Sequence, residues 1–245
     1  MEKFIGIIPA RYQSSRFPGK PLALIGKKTM IQRVYEQATQ AIDTVYVATD
    51  DERIQTSVES FGGKAIMTDA NLPNGTARCL QAAEKCSSDA TVIVNIQGDE
   101  PFINPQQIKA LIKLFDNQSV NIATQIKLIT DSHDLFNPNI PKVVVNKRME
   151  AIYFSRSPIP YLRNYPQNEW LSKHQFFKHI GLYAYRYDTL KKIAILPSSP
   201  NELAESLEQL RWIDHGYTIQ TGITEYETIG IDTPEDLQKI PKEWL

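Results

Sequence analysis

The sequence contains few cysteines, almost no net charge and no long apolar segment, and each of these absences excludes a class of protein. Its two cysteines, Cys79 and Cys86, lack the paired spacing of a zinc site, so neither a metal–thiolate centre nor a disulfide framework is expected. The 27 basic residues are balanced by 28 acidic ones, which argues against a nucleic-acid partner. The longest apolar runs are strand-sized, far below the roughly 20 residues of a membrane-spanning helix.

The sequence also lacks a secretion signal and two common nucleotide-binding motifs. The N-terminus has no basic region, apolar core and small-residue cleavage site of a secretion signal, so a cytoplasmic protein without membrane contact is expected. Neither GxGxxG nor GxxxxGK[ST] occurs, which argues against a Rossmann dinucleotide site and a P-loop. With 245 residues, 42% of them hydrophobic, the chain is long enough for one large α/β domain.

Apolar strands alternate with amphipathic helices through the first half of the chain. The predicted strands cover residues 4–9, 44–48, 65–67, 91–96 and 121–125. The predicted helices cover residues 30–41, 51–61, 76–86 and 105–115. Strands that are apolar on both faces are typical of a parallel sheet covered by helices on both sides. We therefore predict an α/β fold with a mostly parallel sheet.

The pattern changes at about residue 130. Residues 130–175 are rich in proline with aromatic residues between, which indicates loops and short strands inserted into the α/β layers. The chain then continues with a predicted strand over 178–185, a helix over 203–213, a strand over 219–223 and a helix over 234–240. No repeat or linker separates these parts. We predict a single domain over 1–245, with a β-rich insertion for substrate binding and dimerisation at about 130–190.

The loop after the first strand carries three cations and no acidic residue. In a parallel sheet, ligands bind at the carboxyl ends of the strands, where Arg11, Arg16 and Lys20 would lie. Arginine offers forked donors to phosphate oxygens and lysine a compact charge, and the backbone amides of Ser14 and Ser15 can approach the same group. A solvated basic loop is the alternative. Three cations without a counter-acid favour a nucleoside triphosphate.

Two carboxylates follow apolar segments later in the chain. Asp99 comes just after the fourth strand and after Gly98, which lets a ligand approach closely. Because Mg²⁺ prefers hard oxygen donors and phosphates, Asp99 is the first metal candidate. Asp232 precedes Thr233 and Pro234, the pattern of a helix N-cap, and a cap is the favoured interpretation of these residues alone. A capping carboxylate can still turn its second oxygen to a metal.

The strand predicted over 178–185 contains a possible hydroxyl-binding wall. Period-two alternation places His179, Gly181, Tyr183 and Tyr185 on one side. The alternative is that His179 is a core residue whose hydrogen bonds are all made to other protein groups. On the helix predicted over 203–213, three leucines are expected to pack, which leaves a polar face with one aromatic residue that suits either a sugar or solvent. That face comprises Glu205, Glu208, Gln209 and Trp212.

Taken together, these motifs resemble those of the CMP-Kdo synthetases, the 3-deoxy-manno-octulosonate cytidylyltransferases. The matching blocks follow one another in order along nearly the whole chain. They are Ile8-Pro9-Ala10-Arg11-Tyr12, Ser14-Ser15-Arg16-Phe17-Pro18-Gly19-Lys20-Pro21, Val47-Ala48-Thr49-Asp50-Asp51, Asn95-Ile96-Gln97-Gly98-Asp99-Glu100-Pro101, Ser155-Arg156-Ser157-Pro158-Ile159-Pro160, His179-Ile180-Gly181-Leu182-Tyr183-Ala184-Tyr185-Arg186, Glu205-Ser206-Leu207-Glu208-Gln209-Leu210-Arg211 and Asp232-Thr233-Pro234-Glu235-Asp236-Leu237.

The resemblance implies a Rossmann-like nucleotide-diphospho-sugar transferase fold and a Mg²⁺-dependent homodimer. Its reaction would join CTP to an acidic 3-deoxy-ulosonate, Kdo or a close variant, giving pyrophosphate and a CMP-sugar for lipopolysaccharide assembly. The catalytic residues carried over by position are Arg11, Lys20, Asp99 and Asp232, of which Asp99 and Asp232 would bind Mg²⁺. The nucleotide-binding residues are Ala10, Arg11, Arg16, Lys20, Asn74, Gly75 and Arg78. The sugar-binding residues are Gln97, Arg156, His179, Tyr183, Tyr185, Glu208 and Gln209.

One block departs from the family pattern. Where the family reads His-x-Ser-Gly-Thr-Asp-Arg, this chain has Leu72, Asn74 and Ala77 at the first, third and sixth positions. Loss of the acid at Ala77 is expected to leave Arg78 without its usual neighbour and to change the polarity near the base or sugar. An amino-substituted or otherwise altered ulosonate is therefore an alternative acceptor. A CMP-sialate-type or sugar/phosphonate nucleotidyltransferase would share the basic loop, and a non-catalytic nucleotide-binding module could be built on the same fold.

Overall fold

A computed structural model describes residues 2–14, 16–86, 89–227, 230–238, 240, 241 and 244. Its strands are β1 (Phe4–Ala10), β2 (Leu24–Ile25), β3 (Lys28–Thr29), β4 (Val45–Thr49), β5 (Ala65–Met67), β6 (Val92–Asn95), β7 (Ile122–Leu128), β8 (Lys142–Val145), β9 (Ala151–Ser155), β10 (Phe177–Arg186) and β11 (Ile219–Ile223). Its helices are α1 (Met30–Thr39), α2 (Glu52–Ser60), α3 (Gly75–Lys85), α4 (Pro105–Lys113), α5 (Ser132–Phe136), α6 (Trp170–Lys173), α7 (Tyr187–Ile193), α8 (Pro200–Glu205), α9 (Gln209–Asp214) and α10 (Pro234–Gln238).

The main sheet has the strand order β11-β7-β10-β6-β1-β4-β5. The pairs β6/β1, β1/β4, β4/β5 and β7/β11 are parallel. Strand β10 runs antiparallel to both of its neighbours, β6 and β7, and β8 extends the sheet from β10 to β9. The prediction of a mostly parallel sheet is confirmed. The antiparallel direction of β10 in the middle of the sheet was not predicted.

Helices cover both faces of the sheet, as predicted. Successive residues of β1 point to opposite sides, so that Ile8 joins a core with α1, α2 and α4, whereas Ile7 joins a core with α3, α7 and α9. Both isoleucines are fully buried. Burial on both faces is the reason that the strands read as continuous apolar runs instead of alternating ones.

The prediction of a single helix over 203–213 is wrong. The chain forms α8 and α9 instead, with Ser206 between them in the left-handed region at φ 52°. Helix α8 starts early because Ser199 and Glu202 form a capping box around Pro200. The break rotates the expected faces: Leu203 is 68% exposed and not packed, whereas Trp212, expected on the polar face, is buried.

The predicted insertion contains short helices as well as strands. Strands β8 and β9 pair antiparallel beside β10, and α5 and α6 flank them. Helix α7, which directly follows β10, was not predicted from the sequence. Within the residues that the structure describes, no helix is long and apolar enough to span a bilayer.

Candidate active site

The basic loop folds back beside the carboxyl end of β1. Gly19 adopts a left-handed conformation at φ 73°, and its amide donates to the carbonyl of Tyr12 over 2.8 Å. A short 3₁₀ turn over Lys20–Leu22 follows, and the side chain of Lys20 is mostly buried. The loop and residues 97–99 line a cleft of about 310 Å³. Ser15, one of the two predicted amide donors, lies outside the described residues.

Two carboxylates that are far apart in sequence meet at Lys20. Its Nζ donates to Asp99 Oδ2 over 2.7 Å and to Asp232 Oδ1 over 3.3 Å. The Arg16 guanidinium donates to both oxygens of Asp232, over 3.1 and 3.2 Å. The cationic loop and both carboxylates therefore form one ion-pair cluster.

The capping role favoured for Asp232 is not what the structure shows. The carboxylate that accepts from the backbone amides of Asp232 and Thr233 belongs to Asp236, over 3.1 and 2.9 Å. The side chain of Asp232 is turned to Arg16 and Lys20 instead. Sequence alone missed this because Asp232 and Asp236 both stand where a carboxylate can cap this turn.

The donor set fits a hard divalent cation. The Lys20 ammonium already occupies a position that both carboxylates reach, so one small cation can contact the same two oxygens. No group of three or more metal-ligating side chains occurs in the part of the chain that the structure describes. Two carboxylates nevertheless suit Mg²⁺, which keeps several water and phosphate ligands. The metal role of Asp99 and Asp232 stays a prediction.

Close backbone packing brings Asp99 to the basic loop. A Cβ on Gly98 would lie 2.7 Å from the carbonyl oxygen of Pro9, so only glycine permits this approach between the β6 and β1 ends. The neighbouring Glu100, which was not predicted as a site residue, has a buried Oε2 without a partner among the described residues. Burial and the nearby Asp99 carboxylate raise the pKa of Glu100 to about 8, so it is largely uncharged at neutral pH.

The start of α3 joins the predicted nucleotide segment to the predicted sugar residues. Asn74 caps α3 by accepting from the amide of Ala77 over 2.8 Å, while its Nδ2 donates to Glu208 over 2.8 Å. The Thr76 hydroxyl donates to the other oxygen of Glu208 over 3.0 Å. Burial raises the pKa of Glu208 to about 7, although the hydrogen bond from Thr76 opposes this rise.

Arg78 has an acidic partner that the family motif does not supply. Its side chain is fully buried, and its guanidinium donates to Asp50, over 3.0 Å, and to the hydroxyl of Thr68. Arg78 lacks the family's acid at position 77, as expected, and Asp50, which directly follows β4, is its acidic neighbour instead. Arg11 donates to the carbonyl of Leu72 and so connects the basic loop to residues 72–78, the segment that differs from the family motif.

The predicted sugar-binding residues of β10 lie beside the β6 loop. Gln97 Nε2 donates to the Gly181 carbonyl over 3.0 Å. The ring of Tyr183 contacts those of His179 and Tyr185, with centroids 5.2 and 5.8 Å apart. Both tyrosines are buried, and their hydroxyls lie beside Thr124 and Asn95 respectively, without a hydrogen bond of ideal geometry among the described residues. Burial raises the pKa of both phenols and lowers that of His179 to about 3.

The other predicted sugar residues lie near the α8–α9 break. Arg156 donates to the carbonyls of Glu205, Pro138 and Ser206, over 2.6, 3.0 and 3.3 Å. Gln209 begins α9, and its buried Nε2 has no partner in the described residues. These contacts place Arg156 against the backbone of this break. The sugar-binding role of both residues stays a prediction.

The mostly parallel sheet, the basic loop at its carboxyl edge and the paired carboxylates define a nucleotidyltransferase. A family model described as cytidylyltransferase matches residues 5–222. The chain is 58% identical over 243 residues to 3-deoxy-manno-octulosonate cytidylyltransferase of Parabacteroides distasonis, covering 98% of this chain and 97% of the relative. It is 56% identical over 239 residues to the enzyme of the same name from Bacteroides thetaiotaomicron, covering 96% of each.

A solved structure shows the same fold. It is that of CMP:2-keto-3-deoxy-manno-octonic acid synthetase complexed with CTP, with a TM-score of 0.89 and 45% identity. The match covers 97% of this chain and 96% of that one. The chain therefore belongs to the cytidylyltransferase family and, within it, to the 3-deoxy-manno-octulosonate cytidylyltransferases.

Proposed function

We propose that this chain joins CTP to an acidic 3-deoxy-ulosonate sugar, Kdo or a close variant, and releases pyrophosphate. The observation that carries the proposal is the contact of one Lys20 ammonium with both Asp99 and Asp232, at the edge of the sheet where ligands bind. The names of the relatives, and the CTP complex of the related structure, support the same substrates.

In this reaction the anomeric hydroxyl attacks the α-phosphorus of CTP. A phosphorus–oxygen bond to the sugar forms as the bond to pyrophosphate breaks, and the hydroxyl proton passes to solvent. Arg11, Arg16 and Lys20 bind the triphosphate and balance the charge that grows on pyrophosphate. Asp99 and Asp232 would hold Mg²⁺, which adds positive charge at the phosphates. Ala10, Asn74 and Gly75 contact the cytidine; the buried Arg78 supports this segment through Asp50.

The acidic sugar would lie next to this cleft, on the β10 side of residues 97–99. Its proposed contacts are Gln97, Arg156, His179, Tyr183, Tyr185, Glu208 and Gln209. Support comes from the Gln209 amide, since a buried polar atom without a partner among the described residues indicates a place for a ligand or water. An amino-substituted ulosonate is the second candidate, because the Glu208 carboxylate, which accepts from Asn74 and Thr76, can also accept from an amine.

The proposal also covers location and assembly. A cytoplasmic enzyme would draw on the cellular CTP pool and supply CMP-sugar for lipopolysaccharide assembly. Assembly into a homodimer is supported by large exposed side chains of the insertion, namely Ile152, Tyr161 and Tyr165, which are 53%, 72% and 45% exposed.

A pyrophosphate-release assay tests the reaction. Each nucleoside triphosphate is combined with Kdo, an amino-substituted ulosonate and a sialic acid, with and without Mg²⁺. We expect release with CTP and a 3-deoxy-ulosonate, and a large loss when Mg²⁺ is removed. Release with sialic acid alone would favour the CMP-sialate alternative. No release with any acidic sugar would contradict the proposal.

A further inference from the structure

A buried threonine contacts His179 from the neighbouring strand. Thr124 of β7 is fully buried and lies beside the irregularity of β10, where the pairing of the two strands shifts between Ile180 and Tyr183. Its Oγ1 is 3.0 Å from the Ile180 carbonyl oxygen, 2.9 Å from that of Leu182 and 3.1 Å from Nε2 of His179. Such an irregularity in a strand commonly redirects a side chain next to an active site.

The single hydroxyl proton of Thr124 can be donated either to the backbone carbonyls or to the ring of His179, but not to both. A threonine hydroxyl donates one hydrogen and accepts two, whereas the carbonyls of Ile180 and Leu182 can only accept. If the proton is shared with these carbonyls, the oxygen accepts both from the neighbouring Tyr183 hydroxyl and from the ring, and Nε2 of His179 carries the hydrogen. Burial lowers the pKa of His179 to about 3, which supports a neutral ring with a single ring hydrogen.

We propose that Thr124 is a positioning residue that holds His179 as the Nε2–H tautomer and leaves Nδ1 as a hydrogen-bond acceptor for the substrate. Among the described residues, Nδ1 has no partner. The ring is also fixed by Phe154 and Tyr183, whose centroids lie 5.1 and 5.2 Å from it. Thr124 thus acts through His179 and not on the reacting atoms.

The assignment restricts what His179 can recognise, and this part rests on the proposed sugar-binding role. A lone pair at Nδ1 accepts from a hydroxyl or an ammonium group and repels a carboxylate. The carboxylate of the acidic sugar must therefore bind elsewhere in the cleft. Gln97 donates to the carbonyl of Gly181 within the same irregular segment, so the position of His179 is linked to the loop that carries Asp99.

Histidine NMR tests the tautomer without any substrate. The chain has four histidines, and in ¹⁵N-histidine protein the signal of His179 is identified by its loss in H179Q. Long-range ¹H–¹⁵N correlations distinguish the two ring nitrogens. We expect a neutral Nε2–H ring at pH 7 in the wild type and in T124S, and altered nitrogen shifts in T124V. An Nδ1–H or doubly protonated ring in the wild type would overturn the assignment, even if T124V does not fold.

Kinetics test the positioning role. We expect T124V to raise the KM for the acidic sugar roughly five- to tenfold, as for the loss of one hydrogen bond, with the KM for CTP changed less than twofold. T124S, which keeps the hydroxyl, should stay within twofold of wild type. An unchanged sugar KM in folded T124V would overturn the role. A failure of pyrophosphate release with every sugar would contradict the proposed function and leave the NMR result standing.

Discussion

The carboxylate of Asp99 faces the cleft and not the core, so its charge matters more for the reaction than for the fold. Its carboxylate contacts Lys20 at the cleft and is only partly buried, so the fold does not depend on it for packing. Replacement by asparagine keeps the size of the side chain and an oxygen that can accept from Lys20. The charge needed beside the phosphates is lost. A substitution of Asp99 should therefore lower turnover strongly and change stability little.

We expect D99N to fold normally and to lower kcat by about 10² to 10³, the scale for removing one preorganised electrostatic contact. Steady-state pyrophosphate release with saturating CTP and sugar measures the effect, and thermal unfolding checks the fold. D188N is the matched control, because Asp188 is exposed and, among the described residues, forms its ion pair with Lys191. Turnover of D99N within threefold of wild type would remove Asp99 from the proposed metal role.

Glu208 makes stability depend on pH in a predictable direction. Its pKa rises from 4.5 to about 7 on folding, so the folded chain favours the protonated carboxyl. The stabilisation is complete below pH 4.5 and is lost as the pH rises through about 7. Glutamine at this position cannot ionise. Relative to wild type, E208Q should therefore gain stability between pH 4.5 and 8, by up to about 3 kcal/mol.

Urea unfolding of both proteins across this pH range measures the difference. E84Q is the matched control, because Glu84 lies on the exposed side of α3, and its profile should parallel that of wild type. A constant offset between E208Q and wild type at all pH values would show that the raised pKa of Glu208 is wrong.

At the scale of secondary-structure elements, Asn74 and Glu208 connect the start of α3 to the start of α9. Asparagine suits this position because its oxygen caps α3 while its amide donates to Glu208. Aspartate would keep the cap but would place a second carboxylate opposite Glu208. In the double variant N74D/E208Q the direction of the hydrogen bond is reversed, because the glutamine amide can donate to aspartate.

We expect N74D to lose about 1–2 kcal/mol of unfolding free energy at pH 8, and the double variant to recover most of that loss. Urea unfolding of the wild type and of the two single and one double variants measures the coupling. N74D/E84Q serves as the control pair and should be additive. Additive effects in N74D/E208Q would show that the bond between Asn74 and Glu208 contributes nothing.

Elements with a local signal were predictable from sequence. The spacing of Met30, Ile31 and Val34 predicted α1, and the apolar run through Ile7 and Ile8 predicted β1, because both patterns reflect which faces are buried. The direction of β10 was not predictable, since an antiparallel strand that is buried on both faces has the same composition as a parallel one. The division between α8 and α9 depends on the backbone of one residue, Ser206, which composition does not reveal.

The site was predictable to a similar extent. The motifs identified Lys20, Asp99 and Asp232, and the topology brings these three together. The pairing of Arg78 with Asp50 was missed, because it joins the ends of β4 and α3 across the fold. Thr124 gave no signal at all, since a threonine within an apolar strand is ordinary. Partners across strands follow from register, which a single sequence does not supply.

At the scale of the whole molecule, the sheet order places the two halves of the site next to each other. Strands β1 and β6 are adjacent, and β10 pairs with β6, so the basic loop, the Asp99 loop and the His179 strand share one region. The insertion extends from the outer part of β10 through β8 to β9. Among the described strands, β9 pairs only with β8, and its Ile152 side chain is 53% exposed.

An exposed apolar edge of this kind is costly in a monomer, because it offers unpaired backbone groups and apolar area to any other chain. We expect the wild type to sediment as a homodimer at micromolar concentration and I152R to sediment as a monomer, since a buried, unpaired arginine opposes association. I195R is the matched control: Ile195 is 80% exposed outside the insertion, and its substitution should leave the dimer intact. A monomeric wild type at all concentrations, or dimers in I152R as stable as those of wild type, would show that this edge is not the subunit interface.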